Sequence, residues 1–346
     1  MQVEITRPGK LLAPSGRLAK VGWSRFPILE CNLEQASFYP GFLQPLQRFR
    51  IKRWDYYAVF TPRHFFSATI ADLGYAGNVF VYFLDFVTGE LYEDGLVIPF
   101  GKGLQLPRDS TQGVSCYEGK GAWLSFEVKP GCRQISVSWP GFNQGRGLWA
   151  DLQLDEPPER ESMTVVVPIK GRRFYYNRKV NCMLAEGSLK YGEITEEVKP
   201  HESLGSLDWG RGVWPYRSYW NWASASGFLP DGRTLGLNLG GGFGNTSVAT
   251  ENCLILDGRI HKLEQIQFAY DPHHYMKPWK FRDSQGRLDL VFVPFKERVA
   301  RTDLMLIFSE VHQMFGRFSG KVVSDNGDLI PIVNLIGFAE EHHARW

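Results

Sequence analysis

Asp208, Trp209 and Arg211 lie within four residues, and Trp214, Tyr216, Trp220, Asn221 and Trp222 follow in the next eleven. A carboxylate and a guanidinium beside flat indole and phenol walls are the parts of a pocket for a mostly apolar ligand with a few polar contacts. A carboxylic acid in such surroundings has its pKa raised and stays protonated near neutral pH, so it can serve as a general acid toward an uncharged substrate. Positive charge developing on that substrate would face indole π systems. On this reading Asp208 is the proton donor or the orienting carboxylate, with Arg211 grouped beside it as the second catalytic candidate. Trp209, Trp214, Trp220 and Trp222 are the apolar walls, and Arg211, Tyr216 and Asn221 hold polar parts of the substrate. Asp55, Tyr176, Asn177 and Asn238, polar groups set among rings or on neighbouring strands, complete the substrate-binding set, with Lys179 close to Asn177 in sequence. The same residues would also make ordinary barrel core with Asp208 and Arg211 as a structural pair, and the sequence leaves both readings open.

These residues need elements to carry them. Gly210, Gly212 and Pro215 predict an irregular loop over 208–215, because glycine and proline punctuate regular structure. A strand is predicted from Tyr216 onward. Tyr216, Ser218, Trp220 and Trp222 share one of its faces, and Arg217, Tyr219, Asn221 and Ala223 the other. Runs of β-branched and aromatic residues broken by turn chemistry recur along the rest of the chain, beginning at 50–60, 65–73 and 79–87 and continuing to 303–308, 314–323 and 330–340. Residues 122–129 alternate plainly, with Leu124, Phe126 and Val128 opposite Trp123, Ser125 and Glu127. No segment carries a convincing helical stripe; short helical turns are predicted only at 109–112 or 202–207. The expectation is an all-β chain of two antiparallel barrels or half-barrels behind an extended N-terminal arm (1–47). Its domains divide as 1–195 and 196–346, the second opening with the Asp208–Gly212 motif.

Bulk properties exclude several functions. A formal charge of +2 is too small to suggest a nucleic-acid partner, and no apolar run is long enough for an integral membrane segment. The first residues lack the apolar core of a signal peptide, which points to the cytosol. Five scattered cysteines show no C-x-x-C spacing. The cluster 240–244 lacks the phosphate-loop pattern, and no G-x-S-x-G elbow occurs. Adjacent histidines at 273–274 and 342–343 would point to opposite faces of a strand, so no metal site is expected from either pair. Neither a cofactor nor an oligomeric state is indicated.

Four stretches together resemble a bacterial domain-of-unknown-function family, number 2804. They are Lys52-Arg53-Trp54-Asp55-Tyr56-Tyr57, residues 71–77, Leu207-Asp208-Trp209-Gly210-Arg211-Gly212-Val213-Trp214-Pro215, and Trp220-Asn221-Trp222. More distantly, the Asp-x-Gly stretch followed by Trp-x-Trp is similar to the lipocalin-like carotenoid hydratase and tocopherol cyclase group. That resemblance implies two lipocalin-like β-barrels in tandem and a hydrophobic small molecule held between or inside them. It also implies cofactor-free, acid-promoted addition or cyclisation at carbon–carbon double bonds. The hydratases carry a histidine beside the motif's acid, whereas Leu207 and Trp209 flank it here. The functional expectation is a hydratase-, cyclase- or isomerase-like enzyme acting on an isoprenoid- or polyketide-like molecule. A lipid or pigment carrier is the alternative, and a carbohydrate-binding or carbohydrate-active protein a weaker one.

Overall fold

A computed structural model describes residues 2–304 and 307–346, which build two large antiparallel sheets of 13 and 9 strands. The main path of the first runs, by neighbour, Leu91–Pro99, Ala76–Asp85, His64–Asp72, Ile51–Phe60, Leu204–Val213, Arg173–Tyr191, Leu148–Asp155, Cys132–Trp139, Ala122–Lys129 and Gly113–Gly119. The second runs Arg259–Lys262, Cys253–Leu256, Thr234–Gly241, Arg217–Phe228, Leu329–Arg345, Ile307–Val323, Leu288–Leu304, Trp279–Asp283 and Ile266–Ala269. Part of the expected strand 303–308, residues 305 and 306, lies outside the described residues.

Period-two alternation curls each sheet around one apolar face. Along Cys132–Trp139 the residues Arg133, Ile135, Val137 and Trp139 are buried while those between them are half-buried. Tyr57, Phe66, Val81, Phe126, Ile135, Leu152 and Trp209 fill the first lumen; Leu237, Trp279, Phe281, Leu290, Phe292 and Phe318 fill the second. Each large apolar side chain removed from water in this way contributes about 1.5–3 kcal/mol. The result is the pair of lipocalin-like half-barrels expected from the sequence, with one end strand of each sheet curled back toward an inner strand of the same sheet. In the first, Ser115 donates to Asp55 across the lumen; in the second, Gly241 lies against the ring of Phe268. The N-terminal arm contributes Gly22–Ser24 as a strand beside Met163–Ile169, and it also contains 3-10 turns at Leu33–Gln35 and Gly41–Arg50 that the sequence did not predict.

The motif region departs from expectation. Leu204–Val213 is a fully paired central strand of the first sheet, flanked by Ile51–Phe60 and Arg173–Tyr191, so 208–213 is not a loop and 204–207 is not a helical turn. Its glycines mark close approach rather than chain breaks. A Cβ at Gly210 would lie 2.0 Å from the Trp54 ring, and one at Gly212 would lie 2.5 Å from the carbonyl oxygen of Phe174. The chain leaves this sheet at Val213 and enters the second at Arg217. The motif therefore belongs to the first half-barrel, where the sequence reading has it opening the second.

A β-bulge fastens the two sheets together. Between Val180 and Met183 the register slips, with Cys182 at φ 61°, and Asn181 turns outward to donate to Ser224 Oγ at 2.9 Å in the other sheet.

Candidate functional site

On Leu204–Val213 the odd-numbered Leu207, Trp209 and Val213 enter the first lumen, so the even-numbered side chains face the second sheet. The same holds for Ile51–Phe60, where Tyr56, Ala58 and Phe60 join Tyr82, Trp222, Phe315 and Phe338 in a cluster between the sheets. Beside that cluster is a cavity of about 600 Å³, within the size range of a small-molecule site. Trp54, Tyr56, Trp214, Trp220, Trp222 and Phe243 form its apolar walls, and exposed Val97 stands at its rim.

Its polar groups fall into two linked sets. In the first, Asp208 accepts from Asn177 Nδ2 at 2.6 Å and from Lys179 Nζ at 2.8 Å. The Lys179 ammonium also sits 3.9 Å from Glu251 and 3.8 Å from the centre of a Trp222 ring. Glu251 accepts from Tyr175 Oη at 3.2 Å, and its pKa is raised, chiefly by burial. A Cβ at Gly240 would lie 2.5 Å from that carboxylate, so the glycine cluster makes room for an acid rather than a phosphate. In the second set, Glu340 is held by neutral donors only, Trp220 Nε1 at 3.2 Å and Gln313 Nε2 at 3.0 Å. Burial pushes its pKa up to about 7.

Further along the wall, Arg298 donates to Glu93 with Nε at 2.9 Å and lies over the Tyr82 ring, joining the sheets. His342, hydrogen-bonded to Ser309 at 2.8 Å and packed on Trp220, is kept neutral by burial, which lowers its pKa to about 3. His343 turns to the opposite face and meets Glu341 at 3.0 Å. Among the described residues no His, Cys, Asp and Glu group could hold a metal ion.

The structure brings together Asp208, Trp214, Trp220, Asn221 and Trp222 on this wall. Asn177 and Asn238 stand directly behind it, Asn177 bracing Asp208 and Asn238 accepting from Trp222 Nε1 at 2.8 Å. The other candidates lie elsewhere. Arg211 and Asp55 form a buried pair at 2.9 Å on the first-lumen side, so Arg211 does not stand beside Asp208. Trp209 packs there against Tyr176 and under the Arg211 guanidinium, while Tyr176 Oη donates to Leu29 O at 2.9 Å. Strand alternation across an odd spacing separates them. Tyr216, off the cavity wall between the two sheets' strands, is 40% exposed. Sequence reasoning missed Glu251, Gln313 and Glu340 as site residues. The one available signal was a charge directly after apolar residues, as at Glu340 after Phe338 and Ala339 at the head of the polar run 340–343.

Two curled antiparallel half-barrels with an acid-bearing aromatic cavity between them place the chain among tandem lipocalin-like proteins. It belongs to the family described as Domain of unknown function (DUF2804), whose model matches residues 2–346. A comparison with curated proteins returns no match. Among solved structures the chain is similar to CghA, at 10% identity and a TM-score of 0.50, over 85% of this chain and 88% of that one. It is also similar to kievitone hydratase from Nectria haematococca, at 12% identity and a TM-score of 0.47, again over 85% and 88%. At such identity the likeness to CghA bears on the fold alone.

Proposed function

We propose that the cavity is the active site of a cofactor-free enzyme that protonates a carbon–carbon double bond of a hydrophobic isoprenoid- or polyketide-like substrate. Glu340 is the general acid and Asp208 the orienting carboxylate. The observation that carries this reading is the setting of Glu340. It is a buried carboxyl group gripped by an indole N–H and an amide, without a cation, in the wall of an aromatic cavity. A general acid works best with a pKa near the working pH, and burial brings this one there.

The step balances simply. The Glu340 proton passes to one alkene carbon, and the resulting cation faces the rings of Trp220, Trp222 and Tyr56. Capture by water gives a hydratase, and capture by a second double bond of the substrate gives a cyclase. In either case a proton is lost to a carboxylate, for which Glu251 is placed beside the Lys179–Asp208 pair. Asp208 spends its oxygens accepting from Asn177 and Lys179, which suits a fixed negative pole better than a donor.

Incubation in D2O with farnesol and geranylgeraniol, followed by mass spectrometry, tests the reading. Solvent deuterium should enter at carbon with the wild type and not with Glu340→Gln. If an organic extract of the purified protein holds one unaltered lipid per chain, and no deuterium enters that lipid or the probes, the enzyme reading is lost and the carrier reading takes its place.

A further inference from the structure

The cavity has a second pole, opposite in character to the acids. Around Trp54, Leu73, Trp214 and Trp346 the polar groups are donors that lack acceptors. Trp214 is 3% exposed, and its Nε1 has no hydrogen-bond partner. The Nε1 of Trp346 and the phenol oxygen of Tyr75 are likewise buried without one. Buried polar groups are nearly always paired in folded proteins, so several orphans at one place call for an explanation.

A buried cation lies among them. Lys52, two residues before Trp54 on the same face of its strand, is 1% exposed. Its Nζ donates to Leu73 O at 2.6 Å and stands 4.2 Å and 5.8 Å from the ring centres of Tyr75 and Trp346. An ammonium has three donors, and the Leu73 carbonyl takes one. The nearby Asp72 pairs instead with Arg53, at 3.9 Å, and among the described residues no carboxylate reaches Lys52. Burial, then the Arg50 charge, pushes the Lys52 pKa down to about 7, as expected of a cation without a counter-ion. Trp54, Leu73, Trp214 and Trp346 share one stretch of cavity wall, and Lys52 and Tyr75 stand directly behind it. Trp54 meets Trp214 edge-on at 5.3 Å, Trp346 stacks beside Trp220 at 6.5 Å, and Leu73, whose carbonyl takes the lysine, lines the cavity itself.

We propose that this end receives the acidic head of the substrate, a carboxylate on a long unsaturated apolar body, seated against Trp214, Trp346 and Lys52. The proposal rests on the cavity being a substrate site, and it names the substrate class. A carboxylate offers two oxygens with about four acceptor positions, which two indole N–H groups and the free ammonium hydrogens match. An ester or alcohol would satisfy the indoles and leave the ammonium unpaired. A phosphate dianion would call for more positive charge than one lysine supplies, and the cavity-lining guanidiniums of Arg298 and Arg301 are already paired, with Glu93 and with Asp303 and Glu310. With the head so placed, the apolar body runs along Trp54, Phe243 and Trp220 toward Glu340, which puts the reacting double bond on the chain and away from the carboxylate.

The test is fluorescence titration of the full chain with cis-parinaric acid and its methyl ester. The acid should bind about tenfold more tightly than the ester, as a charge-assisted contact warrants. Lys52→Met should bring the ratio close to one by weakening the acid alone. Should that variant fail to fold, Trp214→Phe, which keeps a ring and removes one donor, should narrow the ratio instead. Equal binding of acid and ester by the wild type would overturn the acidic-head proposal and leave the cavity reading standing. Binding of neither probe would overturn both.

Discussion

Asp208 and Arg211 stand three residues apart on one strand and on opposite sides of the sheet. Asp208 pairs with Lys179 at 2.8 Å beside the inter-sheet cavity, and Arg211 pairs with Asp55 at 2.9 Å inside the first lumen. The acid and the guanidinium that look like partners in sequence thus serve different compartments. One compartment is a cavity with unsatisfied donors and an acid whose pKa burial raises; the other is a packed core in which Arg211 and Asp55 pair with each other.

Glu340→Gln keeps the shape of the side chain and removes the acid. Turnover should fall by about 10²- to 10⁴-fold, the usual span for a general acid, while affinity for a hydrophobic probe is kept. The wild-type rate should be high below about pH 7 and fall as pH rises through that value, because the donor is the protonated form. Stability should follow the same group. Its folded pKa lies above the ordinary 4.5, so its contribution is fully present below about 4.5 and is lost as pH rises through about 7. Melting curves across that window should decline more for the wild type than for Glu340→Gln.

Asp208→Asn removes the counter-charge of Lys179. Turnover should drop, yet the limb of the pH–rate profile near 7 should persist, since Glu340 still supplies the proton. Loss of that limb in Asp208→Asn, with Glu340→Gln retaining it, would assign the donor role to Asp208.

Arg211→Met leaves the Asp55 carboxylate buried without its partner and should cost about 3–5 kcal/mol in urea denaturation. Adding Asp55→Leu should recover most of that loss. Neither change should alter probe affinity in the cavity. A selective loss of binding in a fully folded Arg211→Met protein would return Arg211 to the site.

Gly210→Ala places a methyl group 2.0 Å from the Trp54 ring. Overpacking of this kind costs about 1–3 kcal/mol, and here relief requires moving a wall of the cavity. Denaturation should show the loss, and probe affinity should fall with it.

Much of the fold was legible because alternation is a local property. The runs around Leu124–Val128 and Ile135–Trp139 announce strands with one apolar face, and the structure has them. The motif strand was misread because Gly210 and Gly212 resemble chain breaks in sequence, whereas in space each sits against a ring or a carbonyl of another strand. That misreading also concealed the opposite facing of Asp208 and Arg211, which period two would have given at once. Glu251 and Glu340 were hidden for a different reason. Each sits in a polar-looking run, and only the register that sets Gln313 opposite Glu340 shows that the acid is interior. Long-range pairing of this kind has no signature in a single strand.

The cavity has no owner among the two half-barrels. Its acids come from both, its indoles from both, and Arg298 and Glu93 reach across to lock one against the other. A guest lodged there is therefore mortar between two bricks. Occupancy should be felt as resistance to their separation, with the halves melting together when loaded, and neither piece cut from the other could be expected to recognise the guest alone.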